Sequence, residues 1–313
     1  MTQITPMARR AASGASRLAA MLRALGCGVL DATLPQTCVA CDRWIPAGGE
    51  PICDTCREEI DTALRRPACP RCGRTLPTAA IHEDACARCR TEHFWNVAGV
   101  LRIGTYTPAL RSLVLGLKYE GRQRNAEFLA DLLAAALRAC DWGCRLDALV
   151  PVPMHWLRRA QRPADHARVL TEALARRLKS PVVRLVRRAR HAPSQVGIRS
   201  KTQRLENVKG CFALPWWSSA SSPPWWRLPA AWWPAGASRL FSSLLRRRSD
   251  LRGKTVCIVD NLLATGATVC EVSKVLRRAG AKHIYAAVIA RPAAPGDPAS
   301  GLPDMDTTDD EVV

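Results

Sequence analysis

With 313 residues, 48% hydrophobic and 23% charged, the chain is long enough for about two domains, and its composition excludes wholesale disorder. No run of 18 or more uncharged apolar residues occurs, so no stable membrane insertion is expected. Arg9, Arg10, Arg17 and Arg23 break up the first thirty residues, which argues against a cleaved signal peptide. The formal charge of +19, carried by 46 basic residues of which seven are lysine, favours a polyanionic partner such as nucleic acid or a phosphorylated metabolite.

In chain order, residues 1–33 read as a tail with a short amphipathic helix, since Leu18, Met21, Leu22, Leu25 and Leu30 recur at near-helical spacing. Residues 34–92 hold four C-x-x-C pairs: Cys38/Cys41, Cys53/Cys56, Cys69/Cys72 and Cys86/Cys89. A two-residue gap lets both sulfurs turn onto one ion, and a tetrahedral Zn²⁺ needs two such knuckles. Two structural zinc ions follow, bound by consecutive ribbons or by a cross-braced pairing of the first knuckle with the third. A module this small needs such a staple. Eight thiolates on two zinc ions reduce the net charge to about +15. Cys27, Cys140, Cys144, Cys211, Cys257 and Cys270 are scattered among apolar residues and read as buried small hydrophobes. The cysteine usage as a whole fits a reducing, cytoplasmic setting.

From residue 97 the pattern alternates. Val97–Tyr106 reads as a strand, Pro108–Tyr119 as a helix, and Asn125–Cys140 as a second helix capped by Asn125. Asp147–Val152 is a short strand, Ala164–Leu178 a helix and Val182–Val186 a strand. Lys254–Asp260 is a buried strand, followed by the helix Thr268–Ala279 and a strand over Ile284–Ala290. The fold class is therefore α/β over 97–291, with a mainly parallel sheet flanked by helices. Residues 214–250 interrupt it with six of the ten tryptophans among Ser, Pro and Ala. They read as a flexible insertion, or as a membrane-surface or partner-binding patch. Residues 292–313 carry six acids and no base and read as a disordered tail.

The sharpest candidate site is Val256-Cys-Ile-Val-Asp260-Asn261-Leu-Leu-Ala264-Thr265-Gly266-Ala267-Thr268. A buried strand ends in Asp260, and a Gly-containing loop then opens a helix. Thr265, Gly266 and Thr268 can present N–H groups and hydroxyls to a phosphate there, where the helix dipole favours an anion. Asp260 stands at the carboxyl end of the strand, where open α/β sheets bind ligands.

This loop resembles the phosphoribosyl-diphosphate (PRPP) motif of type I phosphoribosyltransferases. The whole of residues 30–291 is similar to the ComF family, which joins a double zinc ribbon to a phosphoribosyltransferase domain and is implicated in DNA uptake during natural transformation. The matching pieces are the four knuckles, Leu117-Lys118-Tyr119-Glu120-Gly121-Arg122 and Leu149-Val-Pro-Val-Pro153-Met-His155. After them come Pro193-Ser194-Gln195, Arg204-Leu-Glu-Asn207-Val and the loop at 256–268. The resemblance implies that Asp260 and Asn261 face the ribose hydroxyls, that Ala264, Thr265, Gly266, Ala267 and Thr268 hold the 5′-phosphate, and that Val152-Pro153 faces the pyrophosphate. It makes Gln195–Asn207, with Arg199, Lys201 and Arg204, a loop closing over PRPP and Mg²⁺. It also implies a cytoplasmic protein whose partners are single-stranded DNA and a competence-type helicase.

Three departures from that pattern stand out. Asn261 replaces a second acid, which weakens PRPP binding by an expected tenfold to a hundredfold. Ala264 lacks a hydroxyl. Arg162-Pro163-Ala164-Asp165-His166 replaces an Arg-Gly-aromatic-Asn-Gln run, and Pro163 cannot take the positive φ open to Gly. A rival reading therefore makes the chain a non-catalytic nucleic-acid- or partner-binding protein with a degenerate pocket. His155 and His166 flank the pyrophosphate turn and read as hydrogen-bonding residues rather than acid–base catalysts. His82 and His93 are redundant as ligands beside eight cysteines.

Overall fold

The computed structural model describes residues 36–46, 48–77, 80–82, 85–90, 96–190, 201–215 and 251–292. The N-terminal helix, nearly all of the Trp-rich insertion and the acidic tail expected from the sequence lie outside these residues. The chain divides into two compact units, Met1–Glu58 and Glu59–Val313.

In the first unit, β1 (Gln36–Thr37) pairs antiparallel with β2 (Trp44–Ile45), a ribbon closed by the turn through Cys38 and Cys41. Helix α1 (Asp54–Arg65) opens at the second knuckle with the acid Asp54 in its first turn and Arg65 in its last, both favourable to the helix dipole. The sequence reading missed this helix.

From Glu59 on, α1 belongs to the second unit, which continues with another ribbon, β3 (Ile81–His82) antiparallel to β4 (Ala85–Cys86). The α/β elements follow: β5 (Gly99–Thr105), α2 (Pro108–Tyr119), α3 (Gln123–Arg138), β6 (Ala148–Pro151), α4 (Trp156–Gln161) and α5 (His166–Leu178). Beyond them come β7 (Arg187–Arg188), α6 (Lys201–Val208), β8 (Phe212–Ala213), β9 (Thr255–Leu262), α7 (Ala267–Arg278) and β10 (His283–Arg291). The central sheet has the order β5-β10-β9-β6 with every neighbour parallel. Such strands are covered on both faces, and β9 and β10 accordingly read as near-continuous apolar runs. Alternate residues divide the core. Val256, Ile258, Ile284, Ala286 and Val288 share a cluster with Val269, Val272 and Leu276 of α7. The helices α3 and α5 also pack on the sheet, and their buried Leu129, Leu133, Leu170 and Leu174 meet where the two helices cross. Arg177 of α5 clasps α3 through Asp131, at 2.5 Å, and Glu127, at 2.7 Å.

Local chemistry adjusts the expected boundaries. Thr107 caps α2 and Pro108 fills its first turn, as the sequence pattern requires. Asn125 does not cap α3. It is buried inside the helix and its Nδ2 donates to the Leu113 carbonyl at 3.1 Å, tying α3 to α2. Asp165 caps α5 by accepting from the Arg168 N–H, so the helix starts at His166 rather than Ala164. The expected strand at 182–186 is a single parallel bridge from Val182 to Leu149. Residues 201–208, read as part of a closing loop, form α6, which packs on α7. Of the scattered cysteines, Cys211, Cys257 and Cys270 are buried as expected, Cys140 is half-buried and Cys144 is exposed.

Gly104 in β5 marks where the sheet meets α1 most closely. A Cβ there would lie 2.7 Å from the Ala63 Cβ, 3.2 Å from Leu110 Cδ1 and 3.3 Å from the Ala63 backbone carbon. The Ala63 Cβ and carbonyl carbon move only with the α1 backbone, so Gly104→Ala is expected to destabilise the second unit by about 1–3 kcal/mol, read as a lower denaturant midpoint at unchanged m-value.

Candidate metal centres and anion site

The eight knuckle cysteines gather into two tetrads, Cys38/Cys41/Cys53/Cys56 and Cys69/Cys72/Cys86/Cys89, with the four sulfurs of each within 4.8 Å of one another. The knuckles thus pair consecutively, and the cross-braced alternative is excluded. A tetrahedron with Zn–S bonds of about 2.3 Å has sulfur–sulfur edges of about 3.8 Å. The observed separations are 3.7 Å for Cys41–Cys53, 3.6 Å for Cys69–Cys89 and 3.8 Å for Cys72–Cys86. These are far beyond a disulfide bond, and four thiolates in tetrahedral array suit a structural zinc ion.

The electrostatics of the second tetrad also call for a cation. Cys69 is pushed down to about 4, first by the thiol of Cys72 hydrogen-bonding to it. Cys72 is pushed far up by that same bond and by burial. Cys89 is raised to about 12, mainly by burial. The Cys69 thiolate forms while Cys72 and Cys89 are held protonated, a conflict that a divalent ion relieves by accepting thiolates. Backbone N–H groups also point at sulfur in the first tetrad, from Ala40 and Cys53 to Cys38 Sγ, each at 3.4 Å.

The second candidate site lies at the carboxyl edge of the central sheet. Strand β6 runs out at Pro151, and the Val152 N–H donates to the Val259 carbonyl at 3.0 Å, so the Val152-Pro153 turn stands beside Asp260. Past β9, Leu263 is held by its N–H on the Ala290 carbonyl. Gly266 then takes φ +80° as the N-terminal cap of α7, a left-handed conformation that explains glycine there. Thr265 Oγ1 accepts from the Ala267 N–H at 3.4 Å, Ala264 is exposed and Thr268 half-buried. The first turn of a twelve-residue helix leaves its leading N–H groups for an anion.

Asp260 accepts from the Asn261 N–H at 2.8 Å, and burial pushes its carboxyl up to about 6 against the pull of Lys118 and Arg188. Asn261 sits next in the strand and is 1% exposed. Neither Nδ2 nor Oδ1 of its amide has a hydrogen-bond partner among the described residues. Lys201 and Arg204 are placed on α6.

Four cations gather here that the motif does not announce as a group. Arg188 of β7 is half-buried over the Phe212 ring at 5.6 Å, and burial and the charge of Arg158 lower its pKa, while Asp260 and Cys211 oppose that shift. Lys118, Arg162 and Arg158 all act on His166. Burial and these cations push His166 down to about 3, so its ring is neutral at physiological pH. Arg162 also lies 5.0 Å over the Tyr119 ring. The Pro163 ring abuts Gly121, which takes φ +64°, so the altered turn is accommodated by contact with the Lys118–Arg122 segment. Lys118, Arg158, Arg162 and Arg188 come from three separate stretches of sequence, and the only signal they offered singly was basicity.

The arrangement is an α/β domain with a parallel sheet, preceded by two tetracysteine ribbons. Comparison with known proteins agrees: a double zinc ribbon domain matches residues 29–96, and a phosphoribosyl transferase domain matches residues 163–312. Competence protein F of Haemophilus influenzae is 26% identical over 259 residues, covering 81% of this chain and 96% of that protein. DNA utilization protein YhgH of Escherichia coli is 26% identical over 257 residues, covering 80% and 95%. Over a shorter stretch of 57 residues, 17% of each chain, a ribose-phosphate pyrophosphokinase of Synechococcus elongatus is 42% identical. The chain carries both domain types expected from its resemblance to the ComF family, a double zinc ribbon and a phosphoribosyl transferase domain, and is similar to these relatives over about four fifths of its length. No described helix is long and apolar enough to cross a membrane.

Proposed function

We propose that this protein binds PRPP with Mg²⁺ at the carboxyl edge of its sheet and acts on DNA entering the cytoplasm, as the names of its relatives suggest. The observation that carries this reading is Asp260 at the carboxyl end of β9, a short loop from the Gly266 cap of α7, with Lys118 and Arg188 acting on its carboxyl and Arg158 acting on Arg188. Asp260 accepts hydrogen bonds from the ribose hydroxyls, and the N–H groups of 266–268 with Thr265 and Thr268 hold the 5′-phosphate. The three cations stabilise the negative charge that develops on a departing pyrophosphate as an acceptor attacks C1 of the ribose. Bound Mg²⁺ adds further neutralisation of that leaving group. No side-chain nucleophile is required. Single-stranded DNA and a helicase-type protein are the proposed macromolecular partners.

Isothermal titration of the zinc-loaded protein with PRPP and Mg²⁺ tests this reading. Dissociation in the range of about 1–100 μM is expected, with a loss of tenfold or more in Asp260→Ala, which removes charge-assisted bonds. Equal affinity in the two proteins would place the ligand elsewhere, and no heat in either would remove the phosphoribosyl reading.

A further inference from the structure

The surface beside this site carries an aromatic residue that phosphoribosyl binding leaves unused. Among the described residues the exposed large hydrophobics are Trp44, Leu64, Trp156 and Leu157, and two of these four are adjacent at the start of α4. That helix follows directly from the Val152-Pro153 turn, so it stands at the rim of the anion site. Trp156 is 67% exposed. Its backbone is nonetheless fixed, because the buried His155 accepts from the Leu157 N–H through Nδ1 at 3.3 Å and packs its ring 5.7 Å from the indole. An indole with only two rotatable bonds, on a backbone held in this way, receives another ring at low conformational cost.

Its neighbours specify the charge of what it receives. Arg158 and Arg159 follow on the same helix and Arg162 just after it. The nearest acid is Asp165, which Arg159 meets at 3.3 Å while its own carboxylate caps α5. Beyond it Arg158 acts on Arg188, and Arg188 on Asp260, so positive charge continues from the indole into the anion site. An aromatic face bordered by arginines fits a chain of alternating bases and phosphates whose bases are unstacked and free to leave each other. Duplex DNA keeps its bases stacked, and a protein partner would need a far wider apolar patch than one Trp and one Leu.

We propose that Trp156 is a stacking platform for a base of single-stranded DNA, with Arg159 and Arg162 on the flanking phosphates, so that the strand passes over the mouth of the phosphoribosyl site. This rests on the proposed DNA role and adds its contact surface. Anisotropy of a labelled oligodeoxythymidylate of about 20 nucleotides, titrated with the full zinc-loaded chain over a range of salt, tests it. Trp156→Ala is expected to lose about 5- to 100-fold in affinity with an unchanged salt slope, and Trp156→Phe to keep most of it. Arg159→Gln is expected to flatten the salt slope by about 0.7. Duplex of equal length should bind without regard to residue 156. Far-ultraviolet circular dichroism and PRPP affinity serve as controls and should not move in the Trp156 variants. If Trp156→Ala binds the oligonucleotide as tightly as the wild type, the platform is overturned while the DNA role stands. If the wild type binds no oligonucleotide, both fall.

Discussion

Cys72→Ser is expected to abolish folding of the second unit, with bound zinc falling from two ions per chain to one. All four sulfurs of this tetrad are buried and belong to the same apolar cluster as Val97, Val100 and the inner residues of β9 and β10. The knuckle also completes the sheet. β5 is an edge strand, and the Val100 N–H donates to the Pro70 carbonyl at 2.8 Å, so the ribbon occupies an edge that would otherwise invite foreign strands. Buried Arg291 at the end of β10 donates to the Cys72 carbonyl, fixing the knuckle from the opposite side. A structural zinc contributes about 10–16 kcal/mol to small domains, whereas a whole domain is stable by about 5–15 kcal/mol. Loss of this ion therefore exceeds the margin. Zinc released to a colorimetric chelator and the thermal transition by circular dichroism read the two parts of the result. A Cys72→Ser protein melting like the wild type would show that the ion is dispensable to the unit.

Asp260→Asn is expected to have the opposite signs in two assays, stabilising the fold at neutral pH while removing PRPP affinity. The folded carboxyl, at about 6, lies above its ordinary 3.8 because burial disfavours the charge. The folded state thus holds its proton more tightly than the unfolded chain does. The contribution of Asp260 to stability is full below about pH 4 and is lost as pH rises through about 6. At pH 7.5 the ionised group costs about 1–3 kcal/mol. Asn avoids that cost, so the variant should melt higher than the wild type at pH 7.5, with the gap closing at pH 4. Ligand binding should follow the reverse profile, since the ionised form accepts the ribose hydroxyls; wild-type PRPP affinity should fall as pH drops below about 6. Melting curves and titrations at the two pH values check both signs. A variant less stable than the wild type at pH 7.5 would mean that the carboxylate is paired rather than strained.

Much of this architecture was legible in the residues. The C-x-x-C spacing identified all eight zinc ligands, because a knuckle is a local turn whose geometry depends on two intervening residues. Helix α2 was readable over Pro108–Tyr119 from its apolar spacing, and β9 and β10 from continuous apolar runs that only a doubly covered strand tolerates. The Gly266 turn and the Asp260 position followed from the strand–loop–helix order. What the residues left open also has physical reasons. Half of helix α1 is charged, and Ile60 and Ala63 mark its buried face too sparsely for periodicity to stand out. Strands β7 and β8 have two residues each and lie 23 residues apart, so they exist only because the fold brings them together. Asn125 looked like a cap because Asn often is one; its amide instead answers a carbonyl on another helix.

The sequence by itself determined the eight cysteines of the two tetrads, the α/β class and the strand–loop–helix order around Gly266, since each rests on spacings of a few residues that local geometry constrains. Tertiary structure alone decided that the knuckles pair consecutively, that the second knuckle pair bonds to β5 through Pro70, and that Lys118 and Arg188 act on Asp260. Ion sharing, strand pairing and charge act across space between residues remote in the chain, and no local pattern records where folding will bring them together.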